Sequence, residues 1–251
     1  MNDAGHRAGN ENDSASGARR ENALRVAARA GLASARENAL PGIILWIVAA
    51  SIGAGYVLYP PVTAALERLG RIKAAGGFLY SAIATGIFGG LIPFAWRLFV
   101  NRGSPRDADA APAWQAGLFL CLFWTWKGVE IDLFYRAQAL VFGSGATPGT
   151  IIPKVLVDQF VYNPLWAGWT QVLAYWWVEQ RFRLSALTDR ALWGTMGSRV
   201  VTILISTWGV WIPMVSIIYA MPGNLQIPLF NIALCFWGLM LASLTREKRR
   251  S

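Results

Sequence analysis

Histidine and cysteine are nearly absent from this chain of 251 residues. Its one histidine, His6, lies in a polar N-terminal segment, and its two cysteines, Cys121 and Cys235, lie in apolar segments. Because a disulfide framework or a zinc site needs more of these residues, we expect neither a metal nor a cofactor. The sequence also lacks a Gly-x-Ser-x-Gly elbow, a His-Glu-x-x-His motif and a phosphate-binding loop, so we expect no enzyme.

Charge is also scarce: charged residues make up 15% of the chain, whereas 55% is hydrophobic and 13% aromatic. From Val200 to Thr245, 46 consecutive residues include no Asp, Glu, Lys or Arg. As a helix this stretch would be about 69 Å long, which crosses a ~30 Å hydrocarbon layer twice. Pro222, Gly223 and Asn224 form a turn sequence that leaves roughly 20 residues on either side. The pattern predicts a transmembrane helical hairpin.

Similar apolar segments along the rest of the chain predict an all-α polytopic transmembrane bundle of about six spans. The predicted spans are residues 43–59, 74–99, 113–141, 152–180, 199–220 and 225–244. We interpret residues 60–73 as a short interfacial helix and residues 1–39 as a flexible polar tail rich in Arg and Ala, with a weak helix over 22–36. Residues 40–248 then form one integral membrane domain.

The basic residues are distributed unequally between the two sides of this predicted topology. Seventeen fall on the side of the termini and four on the other, which predicts that both termini face the cytoplasm or its equivalent. The net charge of +9 does not indicate a nucleic-acid partner, because the basic residues lie between apolar spans. The lipid bilayer is the expected partner.

Small residues mark the second span. Ala82, Gly86 and Gly90 recur every four residues, a stripe that lets another helix approach closely. The approaching helix can belong to this chain or to a second copy, so a homo-oligomer stays open. Pro93, which removes a hydrogen-bond donor, predicts a kink in the same span.

The fourth span contains polar residues that are costly in lipid. Lys154 and Asp158 are four residues apart on one helical face, which predicts an ion pair, and Gln159 follows directly. Tyr162 is expected to extend this face with a hydroxyl. Such groups line a transport path or lock helices together, since each ionisable group costs roughly 2.5 to 3.5 kcal/mol to insert.

The third span has a second set of charges. Lys127 and Glu130 are three residues apart, and Asp132 and Arg136 are four apart, so the spacing predicts two local pairs. With the charges of the fourth span these sum to zero, which suits both a closed ion-pair network and a water-filled path. Alternatively the hydrophobic part ends at Trp126 and the charges lie at the membrane interface.

Prolines interrupt the later spans. Pro164 frees the carbonyl of Phe160, and Pro213 and Pro228 distort the last hairpin. Broken helices with free carbonyls are found near transport sites and also in inert bundles.

The order of these motifs resembles the Mpv-seventeen family, which includes the twenty-two-kilodalton peroxisomal membrane protein. The likeness covers about residues 61–248, with 43–59 as an additional N-terminal span. It rests on Lys154, Asp158, Gln159, Pro164, Trp211, Pro213, Tyr219, Pro222 and Trp237. The resemblance implies a small integral membrane protein, of peroxisomes or the mitochondrial inner membrane in a eukaryote, that forms a channel for small solutes. In a bacterium the expected location is the cell membrane.

Two functional hypotheses follow. The first is a channel-like bundle that lets small solutes permeate, with a polar lining formed by Lys127, Glu130, Asp132, Lys154, Asp158 and Gln159. The alternative is a structural or assembly membrane protein in which the same charges only lock helix packing.

Overall fold

The computed structural model describes residues 21–100 and 112–248, without the side chains of residues 191 and 241–248. In this part of the chain all regular secondary structure is helical, without a strand. Its helices are α1 (residues 21–37), α2 (Ala39–Leu58), α3 (Pro60–Thr85), α4 (Ile92–Val100), α5 (Ala113–Phe142), α6 (Pro148–Val157), α7 (Gly168–Glu179), α8 (Leu184–Leu187), α9 (Arg190–Ala220) and α10 (Gly223–Lys248). The π-helical segments π1 (Gly86–Leu91) and π2 (Asp158–Ala167) join α3 to α4 and α6 to α7.

Each of the six predicted spans is helical, so the all-α prediction is confirmed. Among the described residues, four helices are long and apolar enough to cross a membrane: Ala39–Leu58, Pro60–Val100, Leu192–Ala220 and Gly223–Met240. The two remaining predicted spans correspond to α5 and to α6–π2–α7, which carry the charges that the sequence analysis places in the membrane. The described part of the chain therefore fits an integral membrane protein with at least four apolar helices.

The predicted N-terminal tail is helical from residue 21, and α1 packs on α9. The Thr202 hydroxyl donates to the Ala27 carbonyl oxygen at 3.2 Å, and the Asn38 side-chain amide donates to the Ser206 carbonyl oxygen at 3.3 Å. A Cβ atom on Gly31 would lie only 3.0 Å from the Thr202 oxygen, so the two backbones are close. The weak helix predicted over 22–36 is confirmed, whereas the tail residues 1–20 lie outside the described part.

Helix α2 continues along α9 in the same direction. The Trp46 indole donates to the Val210 carbonyl oxygen at 2.9 Å, and Gly53 lies opposite Ile217. Contacts therefore advance together along both helices, so α2 and α9 are parallel. Helix α10 then returns beside α9 after the turn at Pro222, as the hairpin prediction requires.

The boundary predicted between residues 73 and 74 corresponds to a bend within α3, three residues later at Gly77. Gly77 has φ +52° and ψ −131°, a conformation that only glycine adopts without strain. The interfacial helix predicted at 60–73 and the following span thus form a continuous helical element with a bend at Gly77. The kink predicted from Pro93 takes the form of π1, where the Ile92 N–H donates to Ile87, five residues back.

The small-residue stripe packs against α5 of the same chain. A Cβ on Gly90 would lie 2.9 Å from the Cys121 Cα, and one on Gly86 would overlap the Thr125 hydroxyl. From α5, Gly128 packs directly on the Ser81 carbonyl oxygen. The close approach predicted for this stripe is confirmed, and it needs no second copy of the chain.

An apolar core lies between α2, α5, α9 and α10. It includes Val215, Ile218, Leu225 and Ile227, each at most 2% exposed. The three aromatic positions of the family resemblance belong to this core: Tyr219 and Trp237 are buried in it, and Trp211 packs against it. Pro213 lies inside α9 and therefore contributes to helix shape.

Candidate polar site in the helical bundle

The first polar group joins α3 to α5 around Asp132, and we call it the Asp132 group. Lys73 donates to Asp132 Oδ2 at 2.7 Å, Ser81 donates to the same oxygen at 2.7 Å, and Arg136 donates to Oδ1 at 3.0 Å. Lys73 also donates to the Gly77 carbonyl oxygen at 3.1 Å, which the bend turns out of the helix. The predicted Asp132–Arg136 pair is confirmed, with Lys73 as a second, buried cation.

The second polar group joins α5 to π2. Lys127 forms a short ion pair with Glu130, as the spacing predicts, and the Tyr162 hydroxyl donates to the same carboxylate. The Tyr162 ring stacks on Phe134 with centroids 4.0 Å apart. Lys127 is 3% exposed. The ammonium group of Lys127 is therefore enclosed by the protein. The alternative that these charges lie at the level of the membrane interface stays a prediction.

The third polar group surrounds Asp158 at the start of π2, and we call it the Asp158 group. Tyr219 of α9 donates to Asp158 Oδ2 at 2.6 Å, while Gln159 and Asn163 donate to Oδ1 at 3.0 and 3.4 Å. Gln138 of α5 donates in turn to the Tyr219 oxygen at 2.6 Å. Asp158 is 5% exposed, so a buried carboxylate is held by three uncharged donors.

The predicted pair between Lys154 and Asp158 does not form. Lys154 is 2% exposed, yet no described carboxylate lies within 4.0 Å of its ammonium group. The ammonium instead lies 5.8 Å from the centroid of the Tyr219 ring, at a distance typical of a cation–π contact. The donors at Asp158 are instead the side chains of Tyr219, Gln159 and Asn163.

The π-helical geometry explains which residues face Asp158. In a π-helix the repeat is i to i+5, which places Asn163 beside Asp158 and turns Tyr162 toward α5. The prediction that Tyr162 extends the Lys154–Asp158 face is therefore wrong. The hydroxyl lies instead 3.4 Å from Lys127.

Pro164 leaves a carbonyl of π2 without its helical donor. With i to i+5 pairing, this is the carbonyl of Gln159 rather than that of Phe160, which an α-helix would leave free. The Trp208 indole of α9 donates to the Gln159 oxygen at 3.1 Å. An aromatic side chain from another span therefore satisfies the acceptor that the proline leaves open.

Three buried polar atoms near these groups have no hydrogen-bond partner among the described residues: Glu130 Oε2, Gln138 Oε1 and Asn231 Nδ2. The other side-chain atoms of Gln138 and Asn231 are bonded, to Tyr219 and to Thr85 at 2.8 Å. A buried unpaired atom costs about 1 to 3 kcal/mol, so these positions favour a bound water or a polar solute.

The contacts of the described residues leave the six predicted site residues in three separate groups. Lys127 lies with Glu130, Asp132 lies across α5 with Lys73, and Asp158 lies with Gln159. Lys154 contacts the Tyr219 ring of the Asp158 group. Sequence reasoning missed Gln138 and Lys73 as partners. The signal for Gln138 was an amide on an apolar helix, whereas nothing near Lys73 in the sequence indicates Asp132.

Within the described residues no group of three or more His, Cys, Asp or Glu side chains could hold a metal ion. Each of the three polar groups instead contains one carboxylate with hydroxyl, amide or cationic donors. No protein family model, curated protein or solved structure matches this chain. The likeness to the Mpv-seventeen family stays a prediction.

Proposed function

We propose that this chain is an integral membrane protein in which six helical elements cross the bilayer. The four apolar helices support insertion. The packing of α5 supports a place for this helix in the membrane as well. Helix α5 lies antiparallel to the second span, with contacts that extend from Lys73 with Asp132 to Phe94 with Gly117. A helix that accompanies an apolar span over this length lies at the same membrane depth.

The element α6–π2–α7 follows α5 in the same way. Tyr162 of π2 contacts Lys127 of α5. Further along the chain, Tyr175 of α7 accepts a hydrogen bond at 3.2 Å from the indole of Trp124, which precedes Lys127 in α5. Positions advance along one element as they recede along the other, so the two are antiparallel. With α2 and α9 parallel, this arrangement supports both termini on one side of the membrane.

The proposed function is passage of small polar solutes, and the Asp158 group is the proposed contact site. The observation that carries it is the separation of two opposite charges: Lys154 and Asp158 are buried and four residues apart, yet do not pair. Charges that only lock helices would pair, because an isolated buried charge is costly. A carboxylate held by neutral donors can accept hydrogen bonds from a solute in place of those donors. Polar groups at transport sites bind their solutes in this way.

The broken backbone of π2 supports the same proposal. π-Helical turns are frequent at functional sites, and here one begins at Asp158 and includes Pro164. In the present conformation Tyr219 and Gln138 contact each other and close the group. Passage therefore requires Tyr219 to move away from Asp158.

Reconstituted vesicles test this proposal. We expect vesicles with the protein to swell faster than protein-free vesicles in urea, glycerol or potassium chloride, measured by stopped-flow light scattering. Asp158→Asn keeps an acceptor for Tyr219 but removes the charge, so we expect the rate to fall by about tenfold, the effect of ~1.4 kcal/mol in a barrier. Glu67→Gln, at an exposed pair with Arg71, is the matched control and should leave swelling unchanged.

If the wild-type protein swells no faster than empty vesicles with any of the three probes, the transport proposal is wrong. The alternative, a structural role for the charges, has its own support in the Lys127–Glu130 ion pair. It predicts that the swap Lys127→Glu with Glu130→Lys partly restores the folded yield lost in either single variant. The equivalent swap of Lys154 and Asp158 should restore nothing, because these side chains are not paired.

A further inference from the structure

A cavity of about 760 Å³ lies between α1, α7 and α9, apart from the three polar groups. Its volume lies within the range of small-molecule sites. It is amphipathic: Ala27, Val172 and Trp176 form a buried apolar floor, while Glu179 and Arg199 lie at its exposed edge. A ligand that fits it has an apolar part and a charged part.

The charged edge contains one acid and one base. The Arg199 guanidinium and the Glu179 carboxylate are 4.0 Å apart, and their side chains are 47% and 66% exposed. An exposed ion pair at this separation contributes only about 0 to 1 kcal/mol. A ligand can therefore replace the contact between Arg199 and Glu179 with its own contacts to each side chain. One cation beside one anion matches a zwitterion, whereas a ligand of net negative charge would be repelled by Glu179.

The cavity lies at the end of the bundle where the apolar span Leu192–Ala220 begins, with Arg199 in the first third of that span. If the chain is inserted as proposed above, this level corresponds to the lipid head groups. The apolar floor then faces toward the hydrocarbon layer. A molecule that combines a zwitterionic head with an apolar chain at this level is a phospholipid.

We propose that this cavity binds a zwitterionic phospholipid of the phosphatidylethanolamine type. Arg199 contacts the phosphate, since a guanidinium matches phosphate oxygens with paired donors, and Glu179 contacts the ammonium group. The first part of an acyl chain lies on Val172 and Trp176. Helix α1 forms the third wall, so its packing on α9 through Ala27 and Gly31 completes the site.

Native mass spectrometry of the purified protein in detergent tests the proposal, with phosphatidylethanolamine and phosphatidylglycerol of identical chains added in turn. We expect phosphatidylethanolamine to be retained about tenfold more, as loss of one charge contact of ~1.4 kcal/mol implies. Arg199→Gln should abolish this retention. Glu179→Gln should raise phosphatidylglycerol binding until the two lipids bind equally.

The exposed pair Glu67 and Arg71, also 4.0 Å apart, supplies matched controls, and Glu67→Gln and Arg71→Gln should leave lipid retention unchanged. Ala30→Trp places a large ring into the cavity from α1 and should abolish retention without lowering the melting temperature. Soluble glycerophosphoethanolamine should not compete, because it has no acyl chain.

Equal retention of both lipids by the wild-type protein, or unchanged selectivity in Glu179→Gln, would overturn the proposal. Competition by the soluble head group would show a small-molecule site and also overturn it. Lipid retention in detergent needs no solute flux. Its outcome is therefore independent of whether the Asp158 group conducts.

Discussion

Asp132 and Asp158 are two buried carboxylates with opposite kinds of surroundings. Asp132, between α3 and α5, accepts from two cations and a hydroxyl, at 2.7 to 3.0 Å. Among the described residues, Asp158, between π2 and α9, accepts hydrogen bonds from uncharged side chains alone. Both are nearly inaccessible, so burial does not distinguish them. One carboxylate is thus neutralised by cations where it lies, whereas the other is held by uncharged donors, which on our proposal a solute replaces.

The backbone is also packed differently around the two carboxylates. Near Asp132, glycines bring α3 and α5 into direct backbone contact, with Gly128 against Ser81. Near Asp158, the chain is π-helical, and Gln159 has a carbonyl that Trp208 must satisfy from another span. The Asp132 region is thus closely packed, whereas the Asp158 region is held by side-chain hydrogen bonds.

The largest contrast is expected from removing each charge. Asp132→Asn leaves Lys73 buried without its counter-ion, and we expect a loss of about 3 to 5 kcal/mol in the free energy of unfolding. Asp158→Asn keeps an oxygen for Tyr219 and removes a charge that has no cationic partner, so the expected loss is below about 1 kcal/mol. Denaturant unfolding in detergent micelles measures both values. Equal losses of unfolding free energy would show that the charges of Asp132 and Asp158 contribute equally to stability.

Much of this arrangement is predictable from the sequence, because it depends on local spacing. Apolar runs between turn residues locate all six predicted helices, and spacings of three and four residues predict Lys127 with Glu130 and Asp132 with Arg136. Both pairs lie within a regular α-helix. Spacing is sufficient there because the helix itself brings the partners together.

The Asp158 group is where prediction from spacing fails. Lys154 and Asp158 have the spacing of a pair, but a π-helix begins at Asp158 and Tyr219 approaches from 61 residues further along the chain. Neither the helix type nor the long-range donor is encoded in the local pattern. The pair of Lys73 with Asp132 is missed for the same reason, because the two residues are 59 positions apart in the chain.

Filling the close backbone contact tests the packed region. Gly128→Val places side-chain atoms against the Ser81 carbonyl oxygen and the Thr85 side chain, so α3 and α5 must separate. We expect a loss of about 2 to 3 kcal/mol in unfolding free energy, as for an overpacked core. Gly194→Ala, where a Cβ meets nothing within 4 Å, should instead be neutral or stabilising. A neutral Gly128→Val would contradict tight packing.

Removing one hydroxyl tests the hydrogen-bonded region. Tyr219→Phe takes a donor from Asp158 and an acceptor from Gln138, and leaving these buried groups unpaired should cost about 2 kcal/mol. It should also alter swelling of reconstituted vesicles, because Tyr219 closes the proposed path. Tyr175→Phe is the matched control, since its hydroxyl accepts from Trp124 and has no contact with the Asp158 group. An equal change in swelling for both variants would contradict a specific role for Tyr219.

The smallest expected effect concerns the carbonyl that Pro164 leaves open. Trp208→Phe keeps an aromatic ring against Phe160 but removes the indole donor to Gln159, and we expect a loss of about 1 kcal/mol. The matched control is Trp46→Phe, whose indole donates to a carbonyl of α9, at Val210, that also has a helical donor four residues on. Since that acceptor stays bonded, the control should cost less. Hydrogen exchange should show faster opening of π2 in Trp208→Phe alone, and equal exchange in both variants would mean that the Gln159 carbonyl has another donor.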